Sequence, residues 1–261
     1  MIHAAQTGGV WRREVLLIVL ALCVAGCQST RKGPRKPLFV GDPKVSELRS
    51  AARALAGLGA PLPTVKRLRF AMRPKATGKN IGEAIETLQA FGEGHAQLLE
   101  ETQYRIAGGQ CNISSRSQAV TVGGFLSLLE TAHIWSPDCP QMAGGRDRRE
   151  VVDARASGQL FPLKVGNQAA VHYTVHGSDG EEDTGFATYE EVVDETYQVV
   201  ERIGSFKAAN GQSVGEVFRI HTNLTTSRGK KRAYEFLFST ALGWRVGYGT
   251  DLEAILIDYV Q

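Results

Sequence analysis

The chain has 261 residues, of which 43% are hydrophobic and 22% charged. That is apolar material enough for one large domain or two small ones, and it excludes a chain too polar to fold. The 30 basic and 27 acidic residues leave a formal net charge of +3, a balance that gives no ground for a nucleic-acid partner. Three short basic clusters, at 31–36, 66–73 and 228–232, read as solvated surface.

The N-terminus carries an address. Arg12 and Arg13 precede an unbroken apolar run of ten residues, 15–24. A bilayer-spanning helix needs about 20 apolar residues, whereas ten is the length of a signal-peptide core. Small residues Ala25 and Gly26 follow, and then Cys27. This stretch resembles the lipobox of bacterial lipoproteins: a branched apolar residue, two small ones and a cysteine, the places filled here by Val24, Ala25, Gly26 and Cys27. The resemblance covers about the first 30 residues. It implies cleavage before Cys27, a diacylglyceryl group on its thiol, and acylation of the new N-terminus. Several acyl chains anchor a protein stably where one alone binds marginally. The partner so implied is a membrane, reached through the N-terminal lipid. In lipoproteins of Gram-negative type an aspartate after the cysteine signals inner-membrane retention. Gln28 stands there instead, which points to the outer membrane, periplasmic face. Without residues 1–26 the chain loses Arg12, Arg13 and Glu14, leaving 28 basic and 26 acidic residues.

Residues 27–43 hold Pro34, Pro37, Pro43, Gly33 and Gly41 among basic side chains and read as an extended tether, with a reach of about 50 Å. From 44 to 140 the expectation is helical. Val45, Leu48, Ala52, Leu55 and Leu58 recur at spacings of three and four, with Gly57, Gly59, Pro61 and Pro63 as a stop. Ile81, Ile85, Leu88 and Phe91, then Leu98, Leu99 and Ile106, suggest further helices, as do Val122, Phe125, Leu126 and Leu129. Residues 141–158, with Gly144-Gly145 and dense charge, read as a linker.

From 159 to 261 alternation takes over. Ala169, Val171, Tyr173 and Val175 share one face; Tyr197, Val199 and Ile203 another. Runs around Phe218 and Ile220, around Tyr234, Phe236 and Phe238, and around Trp244, Val246 and Tyr248 follow. Turns are marked at 177–180, 210–211 and 227–230. The fold expected is α+β: a helical N-terminal half and an antiparallel meander forming a curved sheet or open barrel, in two units.

With Cys23 lost in the signal peptide and Cys27 lipidated, Cys111 and Cys139 remain in an oxidising compartment, where they can pair in one way. His172 and His176 lie on one face of a strand, about 13 Å apart, too far for one metal ion. His95 reads as a core residue. Asp179, Glu181, Asp183 and Glu190 match positions of a calcium loop, but Thr184 stands where glycine is required. No His-Glu-x-x-His and no phosphate-binding glycine loop occurs. No metal or cofactor is expected, and no catalytic residue is assigned. The expectation is a non-enzymatic envelope lipoprotein that binds an envelope protein or an apolar ligand. Tyr173, Phe218, Phe236, Phe238 and Trp244 are the candidate ligand-facing aromatics. Two alternatives stand beside it: a carrier or chaperone for lipid or lipoprotein cargo, and a cell-wall hydrolase with dispersed carboxylates.

Overall fold

The computed structural model describes residues 51, 54–90, 95–105, 111–139, 144–181 and 185–261. The lipobox, Cys27 and the stretch 27–43 read as a tether lie outside them, as do Val45, Leu48, Ala52, Phe91, Ile106 and the calcium-loop positions Asp183 and Thr184.

Twelve antiparallel strands form one closed barrel in simple up-and-down order. They are β1 (Arg67–Pro74), β2 (Gly82–Ala90), β3 (His95–Arg105), β4 (Asn112–Val122), β5 (Leu126–Trp135), β6 (Gly145–Gln159), β7 (Gln168–Glu181), β8 (Gly185–Lys207), β9 (Ser213–Thr226), β10 (Lys231–Ser239), β11 (Trp244–Gly249) and β12 (Leu252–Val260). Each strand pairs with its chain neighbours, and β1 closes on β12, with Phe70 opposite Leu256 and Met72 opposite Ala254.

The α+β expectation is therefore corrected: the region 44–140 supplies β1 to β5, and the stretch read as a linker forms most of β6. The reason is visible in β2 and β3. Ala84, Glu86 and Leu88 alternate inward, while Ile85 and Thr87 face out; Glu86 and Leu88 sit opposite Glu100 and Leu98. Polar side chains occupy inward positions there, and leucine or isoleucine occupies outward ones. The strand period of two is blurred, and apolar residues fall by coincidence at helical spacing. In β7 and β8 the alternation is clean, because Val193, Glu195, Tyr197 and Val199 are buried between exposed Asp194, Thr196 and Gln198.

Helical conformation among the described residues is confined to Ala51 and 54–56. The turn ends where Leu58 N–H bonds the Leu55 carbonyl and Gly59 N–H bonds that of Ala56, Gly59 adopting the positive φ of 68° that favours glycine. Ala51, Leu55 and Leu58 are fully buried. From there residues 59–66 cross one rim of the barrel as a cap. Thr64 donates to the Leu242 carbonyl through its N–H and to that of Ala241 through its hydroxyl, both at 2.9 Å. Gly243 leaves room for this segment: a Cβ there would stand 2.3 Å from the Leu62 carbonyl oxygen.

The wall carries charge on its outer face. A membrane barrel presents an apolar band outward. Here the outer face carries His172 against Asp194 and His176 against Glu190, Arg219 between Glu201 and Glu235, and Arg69 on Asp258.

Candidate functional site

The interior is graded from one rim to the other. Near the capped rim, Leu55, Leu58, Leu160, Phe161, Phe218, Ile220 and Phe238 pack into a continuous core. Phe125, carried inward by the β4–β5 turn, stacks on Phe236 with ring centres 5.3 Å apart and meets Tyr197 edge-on at 5.1 Å. Beyond this aromatic floor the inward positions turn polar. Along β10, Phe238 and Phe236 give way to Tyr234 and Arg232. Along β8, Val199 and Tyr197 give way to Glu195.

Glu195 is the centre of one cluster. Its carboxylate is buried, accepts the Tyr173 hydroxyl at 3.0 Å, and accepts the Tyr234 hydroxyl on its other oxygen. Burial pushes the Glu195 carboxyl up, and the tyrosine hydroxyls and the Arg149 charge oppose that shift. Burial and the adjacent carboxylate push the phenols of Tyr173 and Tyr234 well above their usual value, so both remain donors. Arg149 enters from β6, opposite Glu130 of β5. Burial disfavours its cation, but Tyr189, Glu130 and Asp147 more than offset that. Glu130 in turn accepts the Ser117 hydroxyl at 3.0 Å.

A second cluster crosses the far wall. Glu86 and Glu100 sit directly opposite on β2 and β3. Arg245 bridges them, donating to Glu86 at 2.7 and 3.1 Å and to Glu100 at 3.0 Å. Trp244 Nε1 donates to the other Glu86 oxygen at 2.7 Å. The guanidinium lies 4.1 Å from the Tyr248 ring centre, a cation–π geometry. Burial raises the Glu100 carboxyl to about 6 despite Arg245, with Glu86 adding to the rise.

Two cavities open on these clusters. One of about 160 Å³ is lined by Glu130, Arg149, Tyr173, Glu195 and Leu224. The other, of about 410 Å³, runs between Phe125, Phe236, Arg245 and Tyr248 to a mouth at Lys231, Arg232 and Asp251. They share Phe125 and Tyr234. The mouth belongs to the turns β9–β10 and β11–β12, at the rim opposite the cap. A wider groove of about 980 Å³ lies at the capped rim between 63–66 and the ends of β2 to β4; Lys66 is the one charged side chain among its described lining residues.

Of the candidate aromatics, Tyr173 and Phe236 line the cavities, whereas Phe218, Phe238 and Trp244 are buried in the core. Cys111 and Cys139 form a disulfide, with Cα atoms 5.7 Å apart. It joins the start of β4 to the segment after β5, and so ties two strands where helices were expected. Beside it, Asp138 accepts the Asn112 N–H at 2.9 Å. His95 is buried, but on a strand. Among the described residues no group of three or more metal-ligating side chains comes together.

Sequence reasoning missed Glu86, Glu100, Glu195, Arg149 and Arg245. For Glu195 a signal existed: a carboxylate on the inward register between Val193 and Tyr197. It also passed over a Gly-x-Ser-x-Gly spacing at Gly211-Gln212-Ser213-Val214-Gly215. A nucleophile elbow needs a strand-to-helix turn, and this segment runs from the β8–β9 turn into the start of β9, where the Ser213 hydroxyl accepts the Gly215 N–H at 3.4 Å. The close carboxylates Glu86 and Glu100 share one guanidinium, that of Arg245.

No family model and no curated protein matches this chain. Among solved structures, the hypothetical lipoprotein YmcC from Escherichia coli K12 aligns at 12% identity with a TM-score of 0.37, over 84% of this chain and 98% of that one.

Proposed function

We propose that the chain is a non-enzymatic lipoprotein of the cell envelope, held by lipid on Cys27 at the periplasmic face of the outer membrane, whose barrel lumen binds a polar ligand. The lipobox 24–27 and Gln28 support the address. The observation that carries the binding role is the pair of adjacent cavities beyond the aromatic floor, lined by Arg149, Glu195, Tyr173, Tyr234 and Arg245. Fixed donors and acceptors of this kind converge at ligand sites. Hydroxyl and amide groups fit between them, and a ligand carrying either sign of charge meets a partner. An acyl chain fits poorly, since it would strand buried polar groups without hydrogen bonds. Beyond the aromatic floor the two cavities are lined mainly by polar and charged side chains, which favours a polar ligand there over the apolar one expected from the aromatics.

The test is to purify the native protein in mild detergent, unfold it, and identify what is released by mass spectrometry. A polar envelope component is expected, depleted at least tenfold from the Arg149→Met variant. Stoichiometric release of phospholipid from both proteins would overturn the reading in favour of a carrier.

A further inference from the structure

The capped rim differs from the mouth in charge. Its described residues are 51, 54–66, 90, 95, 122–126, 159–168, 207–213, 239–244 and 260–261, and they include no aspartate or glutamate; Glu216, whose carbonyl accepts the Thr240 N–H, borders them and is paired with Arg202. They do include Lys66, Lys164 and Lys207, all exposed and with no ion pair among the described residues. The same rim exposes apolar side chains: Leu62 of the cap at 40%, Val165 of the β6–β7 loop at 58% and Val260 at the end of β12 at 55%. The opposite rim carries both signs, with Asp138, Asp179 and Asp251 among Lys75, Lys79 and Arg228. The chain also enters the barrel at the capped rim, 24 residues after Cys27.

We infer that the capped rim is a membrane-docking face, seated on an anionic lipid surface with the lumen mouth pointing away from the bilayer. This rests on the lipoprotein reading above and adds an orientation that the lipid alone does not impose. Lysines near an anionic leaflet are attracted within a Debye length, and apolar tips among them enter the headgroup region. Aspartates at such a face would be repelled, and none is present among its described residues. The 23 residues between Cys27 and Ala51 are enough chain for the body to reach the surface but do not choose which end arrives first; the asymmetry of the rims does.

The experiment uses the lipidated protein reconstituted into vesicles of phosphatidylethanolamine and phosphatidylglycerol carrying brominated acyl chains. Val165→Trp places a reporter at the capped rim, and Phe186→Trp places one at the far end, where Phe186 is half exposed; the unsubstituted protein gives the background. Bromolipid quenching at 165 should exceed that at 186 at least twofold. The excess should vanish in the combined Lys66→Glu, Lys164→Glu, Lys207→Glu variant. Equal quenching at the two positions in protein that still floats with the vesicles overturns the docking face and leaves the lipid anchor standing. Protein that fails to float removes the anchor, and the docking face with it.

Discussion

Removing the guanidinium of Arg245 would leave Glu86, which has no exposed side-chain surface, and Glu100 facing each other without a counter-charge. Breaking a buried ion pair from one side costs about 3–5 kcal/mol. Arg245→Met should therefore lower unfolding free energy in urea by that amount, and Arg245→Lys by less, since lysine keeps the charge and loses the fork. Equal losses in the two variants would mean that the charge itself is unimportant. Glu100 gives the interior a pH dependence. Its folded value of about 6 lies above the ordinary 4.5, so the folded chain holds the proton more tightly. Its contribution is complete below about pH 4.5 and is lost as pH rises through 6, amounting to about 2 kcal/mol. In Glu100→Gln the fall in stability between pH 4.5 and 6.5 should flatten by up to that figure. Superimposable pH profiles for the two proteins would refute the assignment. These residues were illegible in the sequence because a charged side chain reads as solvent-facing until a closed wall gives it an inside. Tyr173 and Phe236 were legible because aromatic residues on an alternating face point inward on either reading.

At the scale of elements, β7 to β12 could be read, except that 177–180, marked as a turn, lie within β7 and pair with β8; β1 to β5 could not. The difference is the lumen. Where the inward face is Val171, Tyr173 and Val175, period two stands out. Where it is Glu100 and Thr102 on β3, or Ser115 and Ser117 on β4, facing adjacent inward partners across the strands, the inward face is as polar as the outer one and the period disappears. The turn ending at Gly59 was marked by its glycines and prolines, which act locally whatever the rest of the chain does. Cysteine pairing was legible for a similar reason: it depends on compartment and count and needs no secondary structure. The Cys111–Cys139 bridge spans the β4–β5 hairpin with a sequence separation of 28. Replacing both cysteines by serine should cost about 2–4 kcal/mol, read as a lower urea midpoint. A midpoint that does not move would mean that the hydrogen bonds around Asp138 hold the hairpin ends by themselves.

For the whole molecule, closure of β1 on β12 puts strands from both halves of the sequence into one barrel. The outer wall carries ion pairs where a membrane barrel carries apolar side chains. A membrane can hold such a body through something attached to it, and Cys27 is the place the sequence provides. Metabolic labelling with a fatty-acid analogue, followed by membrane fractionation of the wild type and Cys27→Ser, tests this most directly. The wild type should carry label and sediment with membranes. The variant should carry none and leave the membrane fraction after a carbonate wash. Undiminished label in Cys27→Ser, or an unlabelled variant that resists the wash as an inserted barrel would, contradicts the account.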